Sequence, residues 1–521
     1  MSVRSIVCWR HWRKVRWAVL ATAVPVVWAC NARDLAAPQY MPQRVENNIF
    51  QETLNRDVDM LVMVDDSQSM QPLITKLQNN FPALTNYLKT LPGGLPNIHL
   101  AVVSQDLGAG GETRIQGCAP GGQGGEFHDS PTPGCPAAAT GFTIPTGEHF
   151  LSVINGVPNY APANLDISDV FGCIANLGDT GCGFEHQIQS VVRALGADPN
   201  FPLPDRNTGF LRPQAYLVIL MLTNEDDCSA PPDSNLFTAN QQHVTDPLGE
   251  LASYRCNEFG HLCGTPAMPP PHDMATGDLS PCHSAEGMAP QGLGQLLKVS
   301  DMLANLKSLK SDPSTILVSV IGGLPTPYIV DLVAPQIAGD PMAPQVRHSC
   351  VTPGTNPPEY ADPGVRLSDF VTAFGPNGLF EEICADSFVP ALQQIGVLIS
   401  RALRPKCITG TVAKDANGNP VCSVTSRSFD MNNMETDTLL PNCNDPAVSN
   451  ACKVAAPGAT NPNTGNCTSC WQLGQDATNC PGSQVLEVGR PAGPPPSNVN
   501  DTISCSICLP PPPGQAPPPG C

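Results

Sequence analysis

Charge is scarce in this 521-residue chain. Asp, Glu, Lys and Arg make up 14% of it, and bases are the scarcer sign, with 27 Lys and Arg against 46 Asp and Glu. The formal net charge is −19; the first 29 residues hold five of the bases and no acid, so without them it falls by five to −24. Phosphate backbones demand Lys and Arg, which excludes nucleic acid as a partner. Such acidity suits divalent cations or basic partners, and it equally keeps an exported protein soluble. Beyond the N-terminus no apolar run is long enough to cross a bilayer. The ten His form no HExxH and no recognisable Ser/His/Asp order, and neither Gly108–Gly111 nor Gly121–Gly125 leads into a GK[ST] phosphate cradle. No nucleophile or general-base pair presents itself, so an enzyme is not expected. Internal repeats are absent too.

What is abundant is 57 Pro, 45 Gly and 22 Cys. Many turns and long loops follow, yet 41% hydrophobic residues excludes wholesale disorder. The length allows two or three domains and one large core. A core carrying large irregular insertions is expected.

The N-terminus reads as an export signal. A basic region ending at Arg16 runs into the apolar stretch Trp17–Ala29, whose 13 residues are too few to span a bilayer comfortably. It ends Val27-Trp28-Ala29-Cys30, which resembles the lipobox of bacterial lipoproteins, although Trp28 stands where a small or branched residue is usual. The resemblance implies lipidation of Cys30 and, with Asn31 rather than Asp following, the outer membrane of a Gram-negative envelope; ordinary signal-peptidase cleavage nearby is the alternative. Setting aside Cys8 and Cys30 leaves twenty cysteines, an even number in an exported chain, which argues for disulfides. Cys118 with Cys135 and Cys173 with Cys182 are close pairs that would each close a loop, though spacing does not fix connectivity. Cys467-x-x-Cys470 and Cys505-x-x-Cys508 have zinc-ribbon spacing, but disulfides are the better reading in an oxidising compartment.

Residues 1–29 are thus expected to be a signal peptide and 30–56 a lipidated tether. Asp57–Val64 is a short apolar run of the kind that makes a buried parallel strand. Leu73, Leu77, Phe81, Leu84, Leu88 and Leu91 then recur at helical spacing, with a kink expected at Pro82. Further strands are read at 98–103, 216–222 and 316–321, and helices at 184–195, 296–309 and 388–403. The alternation predicts an α/β fold, a doubly wound and mostly parallel sheet over 57–404. Long Gly/Pro/Cys-rich insertions are read at 107–170, 224–290 and 323–384. From about 405 helical periodicity ends, and 405–508 reads as a small Cys-rich β module with a Pro-rich tail at 509–521.

Asp65-x-Ser67-x-Ser69 follows the first strand at its carboxyl end, the edge where open α/β sheets bind ligands. One carboxylate and two hydroxyls in five residues are hard oxygen donors that favour Mg²⁺, Mn²⁺ or Ca²⁺ over zinc. The same residues could simply cap the helix. This D-x-S-x-S pattern resembles the first signature of the metal-ion-dependent adhesion site (MIDAS) of von Willebrand factor A (VWA) domains. Thr180, in a loop ahead of a helix, matches the family's threonine, and Leu222-Thr223-Asn224 matches its third motif, with Asn224 where the family has Asp. The chain is also similar to large Cys-rich myxobacterial-type lipoproteins. The resemblance implies a VWA-like fold and a cation held by Ser67, Ser69 and Thr180, with Asp65 and Asn224 acting partly through water. It further implies adhesion, a protein partner supplying a carboxylate as the last ligand. The rival expectation is a structural envelope protein whose VWA-like domain has lost its metal. Glu225, Asp226 and Asp227 could compensate for Asn224, but sequence does not place them.

Overall fold

Eight consecutive residues buried on both faces make Asp57–Val64 the middle of a sheet. The computed structural model describes residues 43–521 apart from 52–55, 92–93, 133, 138, 288–295, 356–357, 404–406, 409, 430–433, 455–462, 476–479, 481, 492–498 and 509–519. The segment expected to be a signal peptide, Cys30 and all but the last two residues of the Pro-rich tail therefore lie outside the described residues. In chain order β1 (Gln43–Gln51) precedes β2 (Asp57–Val64), α1 (Gln71–Asn80), α2 (Pro82–Lys89) and β3 (Asn97–Ser104). Next come β4 (Leu151–Ile154), β5 (Val157–Pro158), α3 (Ile167–Ile174), α4 (Gln187–Ala194), β6 (Tyr216–Leu222) and α5 (Tyr254–Gly260). The α/β part closes with α6 (Val299–Lys307), β7 (Ile316–Gly322), α7 (Val365–Thr372), β8 (Gly378–Glu382) and α8 (Val389–Ala402).

The main sheet has the order β8-β7-β6-β2-β3-β4-β5. Its first five strands are parallel, and β4 and β5 add an antiparallel edge. The expected doubly wound sheet is thus present. Alternate strand residues face opposite ways. Met60, Val62 and Val64 pack with α1, α2, α3 and α8, while Leu61 and Met63 pack with α4, α6 and α7. The α1–α2 break falls at Pro82, which cannot donate to the preceding turn and instead opens α2. Among the described residues no helix is long and apolar enough to cross a membrane.

Two expectations need correction. The segment 323–384, read as an insertion, contains α7 and β8, which complete the sheet; β8 is only half-buried, so its GLFEE lacks the apolar run of an inner strand. Residues 43–51, read as tether, form a strand. The Cys-rich module consists of β9 (Cys422–Phe429), β10 (Glu435–Leu440), β11 (Cys470–Gln475), β12 (Gln484–Gly489) and β13 (Val499–Cys508). Its four-stranded sheet runs β1-β13-β9-β10, so β1 pairs with a backbone edge that would otherwise be bare.

All twenty expected cysteines are paired, but the two close pairs singled out in the sequence are exchanged. Cys118 joins Cys182 and Cys135 joins Cys173, one bridge nested in the other, because the 107–150 segment folds back beside α3. The two CxxC spacings are also split: Cys467 pairs with Cys452, Cys470 with Cys443, Cys505 with Cys422 and Cys508 with Cys521.

Candidate functional site

Strand register builds the site. Val64 lies level with Ser104 of β3 and Leu222 of β6, so Asp65, Gln105 and Thr223 emerge side by side at the carboxyl end of three parallel strands. Asp65 is fully buried, and its main-chain N–H donates to Leu222 O at 3.0 Å. Thr223 Oγ1 donates to Asp65 Oδ2 at 2.6 Å, and Gln105 Nε2 to Oδ1 at 3.4 Å. The Ser67 N–H donates to the same Oδ1 at 2.8 Å, and Met70 N to Ser67 O at 3.1 Å, folding the turn into α1. Burial raises the Asp65 carboxyl pKa against these hydrogen bonds.

Ser69 and Asn224 meet across the turn. Ser69 Oγ donates to Asn224 Oδ1 at 3.2 Å, and Asn224 Nδ2 donates to Ser69 Oγ at 2.9 Å and to Tyr360 O at 3.1 Å. That last bond gives Asn a local reason: a carboxylate has no proton for the Tyr360 carbonyl. Ser67 Oγ is buried beside Asp65 without a well-formed hydrogen bond. Asp65, Ser67, Ser69 and Asn224 therefore do come together.

Thr180 is placed differently. It is exposed, and its neighbour Gly181 donates from N to Asp66 O at 2.8 Å. A Cβ on Gly181 would stand 2.2 Å from Asp66 Oδ1, so only glycine permits this docking. Asp66 accepts from Ser104 Oγ at 2.9 Å and from Gln123 Nε2. Burial, with repulsion from Asp65 and Asp106, pushes its pKa up to about 7.

The side chain that the same loop sends inward is Glu185, which the sequence reading missed. It is 1% exposed, and its Oε1 makes no well-formed hydrogen bond. Burial, then Glu225, then Asp65 drive its pKa far upward. Glu225 is partly exposed, and burial followed by Asp362 and Asp65 pushes it up to about 8. Gln187 Nε2 ties Glu225 to the strand ends, donating to Thr223 Oγ1 at 3.0 Å and Glu225 O at 3.2 Å. The available signal was an acidic residue just ahead of a helix whose residues are all buried.

The other two acids are structural. Asp226 accepts from the Arg366 and Leu367 N–H groups at the start of α7 and lies 2.7 Å from His261 Nε2. Burial alone would raise its pKa, but His261 and Arg366 outweigh it and hold it below the usual range. Asp227 takes the Ile188 N–H in the first turn of α4 and the Arg366 guanidinium at 2.9 Å.

In kind, the donors facing the turn suit a hard cation: carboxylates and hydroxyls, with Ser67 Oγ and Glu185 Oε1 making no well-formed hydrogen bond. In arrangement, no group of three or more His, Cys, Asp or Glu is drawn into metal-holding geometry among the described residues. The Ser69–Asn224 bonds also occupy two of the groups expected to serve a cation.

No family model and no curated protein matches the chain. Among solved structures it is similar to the von Willebrand factor type A protein from Catenulispora acidiphila, at 9% identity and a TM-score of 0.24, covering 88% of this chain and 59% of that one. It is also similar to the pilus adhesin RrgA from Streptococcus pneumoniae, at 10% identity and a TM-score of 0.21, covering 89% and 57%. The chain spans less than two thirds of the length of either.

Proposed function

We propose that this chain is a lipid-anchored cell-envelope protein, not an enzyme, whose α/β domain binds a protein partner through a divalent cation. The cation is Mg²⁺, or Mn²⁺ or Ca²⁺ of the same hard class, and it sits where Asp65, Ser67, Ser69 and Asn224 meet, with the loop carrying Thr180 above. The partner supplies a carboxylate to the ion's open position. The observation that carries the reading is the Asp65-x-Ser67-x-Ser69 turn at the end of a central strand, with the Ser67 hydroxyl buried and without a well-formed hydrogen bond. A buried polar atom of that kind costs free energy unless something else engages it. Envelope anchoring is supported by the basic and apolar N-terminus ending at Cys30.

The test is adhesion to, or capture of, a defined envelope ligand with Mg²⁺ present and after chelation, comparing the natural protein with Ser67→Ala. Binding should vanish with chelator and in the variant. Binding indifferent to both would sink the reading in favour of a metal-free structural role. That second reading has its own support: Ser69 and Asn224 satisfy each other without an ion.

A further inference from the structure

The insertion that precedes β4 walls a polar cavity of about 350 Å³, at the low end of small-molecule sites, which span roughly 300–1,000 Å³. Its floor is Phe127, 2% exposed, whose ring stands edge-on to Phe210 at 5.0 Å, with Phe150 against Phe210 at 5.6 Å. The main chain there is fixed. His128 N donates to Val102 O of β3 at 2.9 Å, Phe127 N to Asn207 Oδ1 at 3.0 Å, and Arg206 Nε and Nη2 to Phe127 O at 3.3 and 3.2 Å. Asp129 is held as well, accepting from His149 Nδ1, from Ser130 Oγ at 3.0 Å and from Arg206 Nη2 at 2.8 Å. Groups that already hold one another in place lose little freedom when a ligand arrives.

The bonding capacity left over defines the ligand. Ser130 Oγ gives its hydrogen to Asp129, and Thr132 Oγ1 gives its own to Cys173 O at 2.6 Å, so toward the cavity both are acceptors. Glu126, an exposed carboxylate 3.7 Å from Arg206 Nε, is a third. Among the described residues, Arg206 Nη1 and the His128 ring make no hydrogen bond. Burial, then Arg206, hold the His128 pKa down to about 4, so at neutral pH its uncharged ring offers one donor and one acceptor. The lining carries two carboxylates and one guanidinium. An anionic ligand meets the carboxylates, and an ammonium meets the guanidinium. An apolar ligand would desolvate these groups and return no hydrogen bond. A neutral ligand with several hydroxyls, each both donor and acceptor, avoids all three penalties.

We propose that this cavity binds a neutral saccharide unit, whose hydroxyls donate to Ser130, Thr132 and Glu126 and accept from Arg206 and His128. The binding needs no cation, so it stands apart from the reading of the turn after β2. Gln123 lines the cavity and also donates to Asp66, which places the saccharide within one side chain of that turn.

Saturation-transfer difference NMR of the full chain with glucose, galactose, mannose and N-acetylglucosamine, in the presence of chelator, tests this. At least one sugar should receive transfer that saturates with concentration. His128→Phe keeps the ring and removes both nitrogens, and Glu126→Ala removes an exposed acceptor. Each should weaken that binding by about tenfold. Glu126 lies at the surface, so its variant decides the matter even where His128→Phe fails to fold. Transfer to none of the sugars overturns the proposal, and so does sugar binding that Glu126→Ala and a folded His128→Phe leave unchanged. Acetate or methylammonium displacing the sugar would make the cavity a site for charge and overturn it as well. Sugar binding that appears only when Mg²⁺ replaces the chelator would move the saccharide to the turn after β2, and the cavity assignment would fall while the cation reading stands.

Discussion

The parallel sheet and the Cys-rich module solve the same problem by opposite means. In the sheet, β2, β6 and β7 are buried along their whole length, and two helical layers cover the faces. Its five disulfides lie outside those strands and tie down the insertions or their junctions with helices. In the module the core is a small cluster around Val424, Trp471, Leu486 and Ile503, while Leu439 is 70% exposed. There a disulfide joins strands directly: Cys422 and Cys505 are register partners in β9 and β13. Apolar burial grows with domain size and covalent links substitute where it is too small. One chain therefore shows both regimes, and each can be perturbed separately.

The largest effect is expected from a buried ion pair in the α/β part. Arg366 and Asp227 are at most 1% exposed, and Arg366 also donates to Leu297 O. Arg366→Leu leaves a buried carboxylate uncompensated and should cost about 3–5 kcal/mol. Urea unfolding followed by the helical circular dichroism signal measures this; a loss below about 1 kcal/mol, the value of an exposed pair, would contradict it. The module should be unaffected, and Trp471, the one Trp outside the first 29 residues, reports on it by fluorescence. A parallel shift of both signals would break the comparison.

The converse change is the double variant Cys422→Ser with Cys505→Ser. It should destabilise the module by about 2–4 kcal/mol in the Trp471 transition and leave the helical transition in place. A common transition would mean that β1 couples the two regions strongly.

A smaller effect is expected with pH. His128, on the 107–150 segment, is held down to about 4 by burial and then by Arg206, against the pull of Asp129. Its unfolded form titrates near 6.5, so between pH 6.5 and 4 the unfolded chain binds the extra proton and stability falls as pH falls. Because His128 is not fully buried, the loss should be on the order of 1–2 kcal/mol. His128→Gln should remove that part of the slope, and identical slopes for both proteins between pH 7 and 4 would disprove it. Least of all should change in Asp437→Ala, which cuts an exposed pair with Arg427 on the module surface. The Trp471 transition should not move.

The inner strands and most helices of the α/β part were legible because each carries a long apolar signature: YLVILML at 216–222 has one reading, and Leu73 to Leu88 another. Shorter pieces were not. ISDVFGCI is one eight-residue helix, and GLFEE joins the sheet only because β7 offers it an edge. The Asp65-x-Ser67-x-Ser69 turn was legible because its donors are neighbours in the chain. Its surroundings were not, since Glu185 lies 120 positions after Asp65 and reaches it only when α4 packs on β2 and β3.

What the sequence determines by itself is whatever depends on local order: strand and helix periodicity, the break at Pro82, the turn after β2, and an even cysteine count beyond residue 30. Tertiary structure decides whatever depends on which distant groups meet. It nests Cys135–Cys173 inside Cys118–Cys182, takes β1 into the module's sheet, neutralises Asp226 and Asp227 with His261 and Arg366, and buries the Glu185 carboxyl with its Oε1 making no well-formed hydrogen bond. Periodicity follows from backbone geometry a few residues at a time. The pairing of buried charges instead follows from desolvation and Coulomb interaction across the packed core, where chain distance has no bearing.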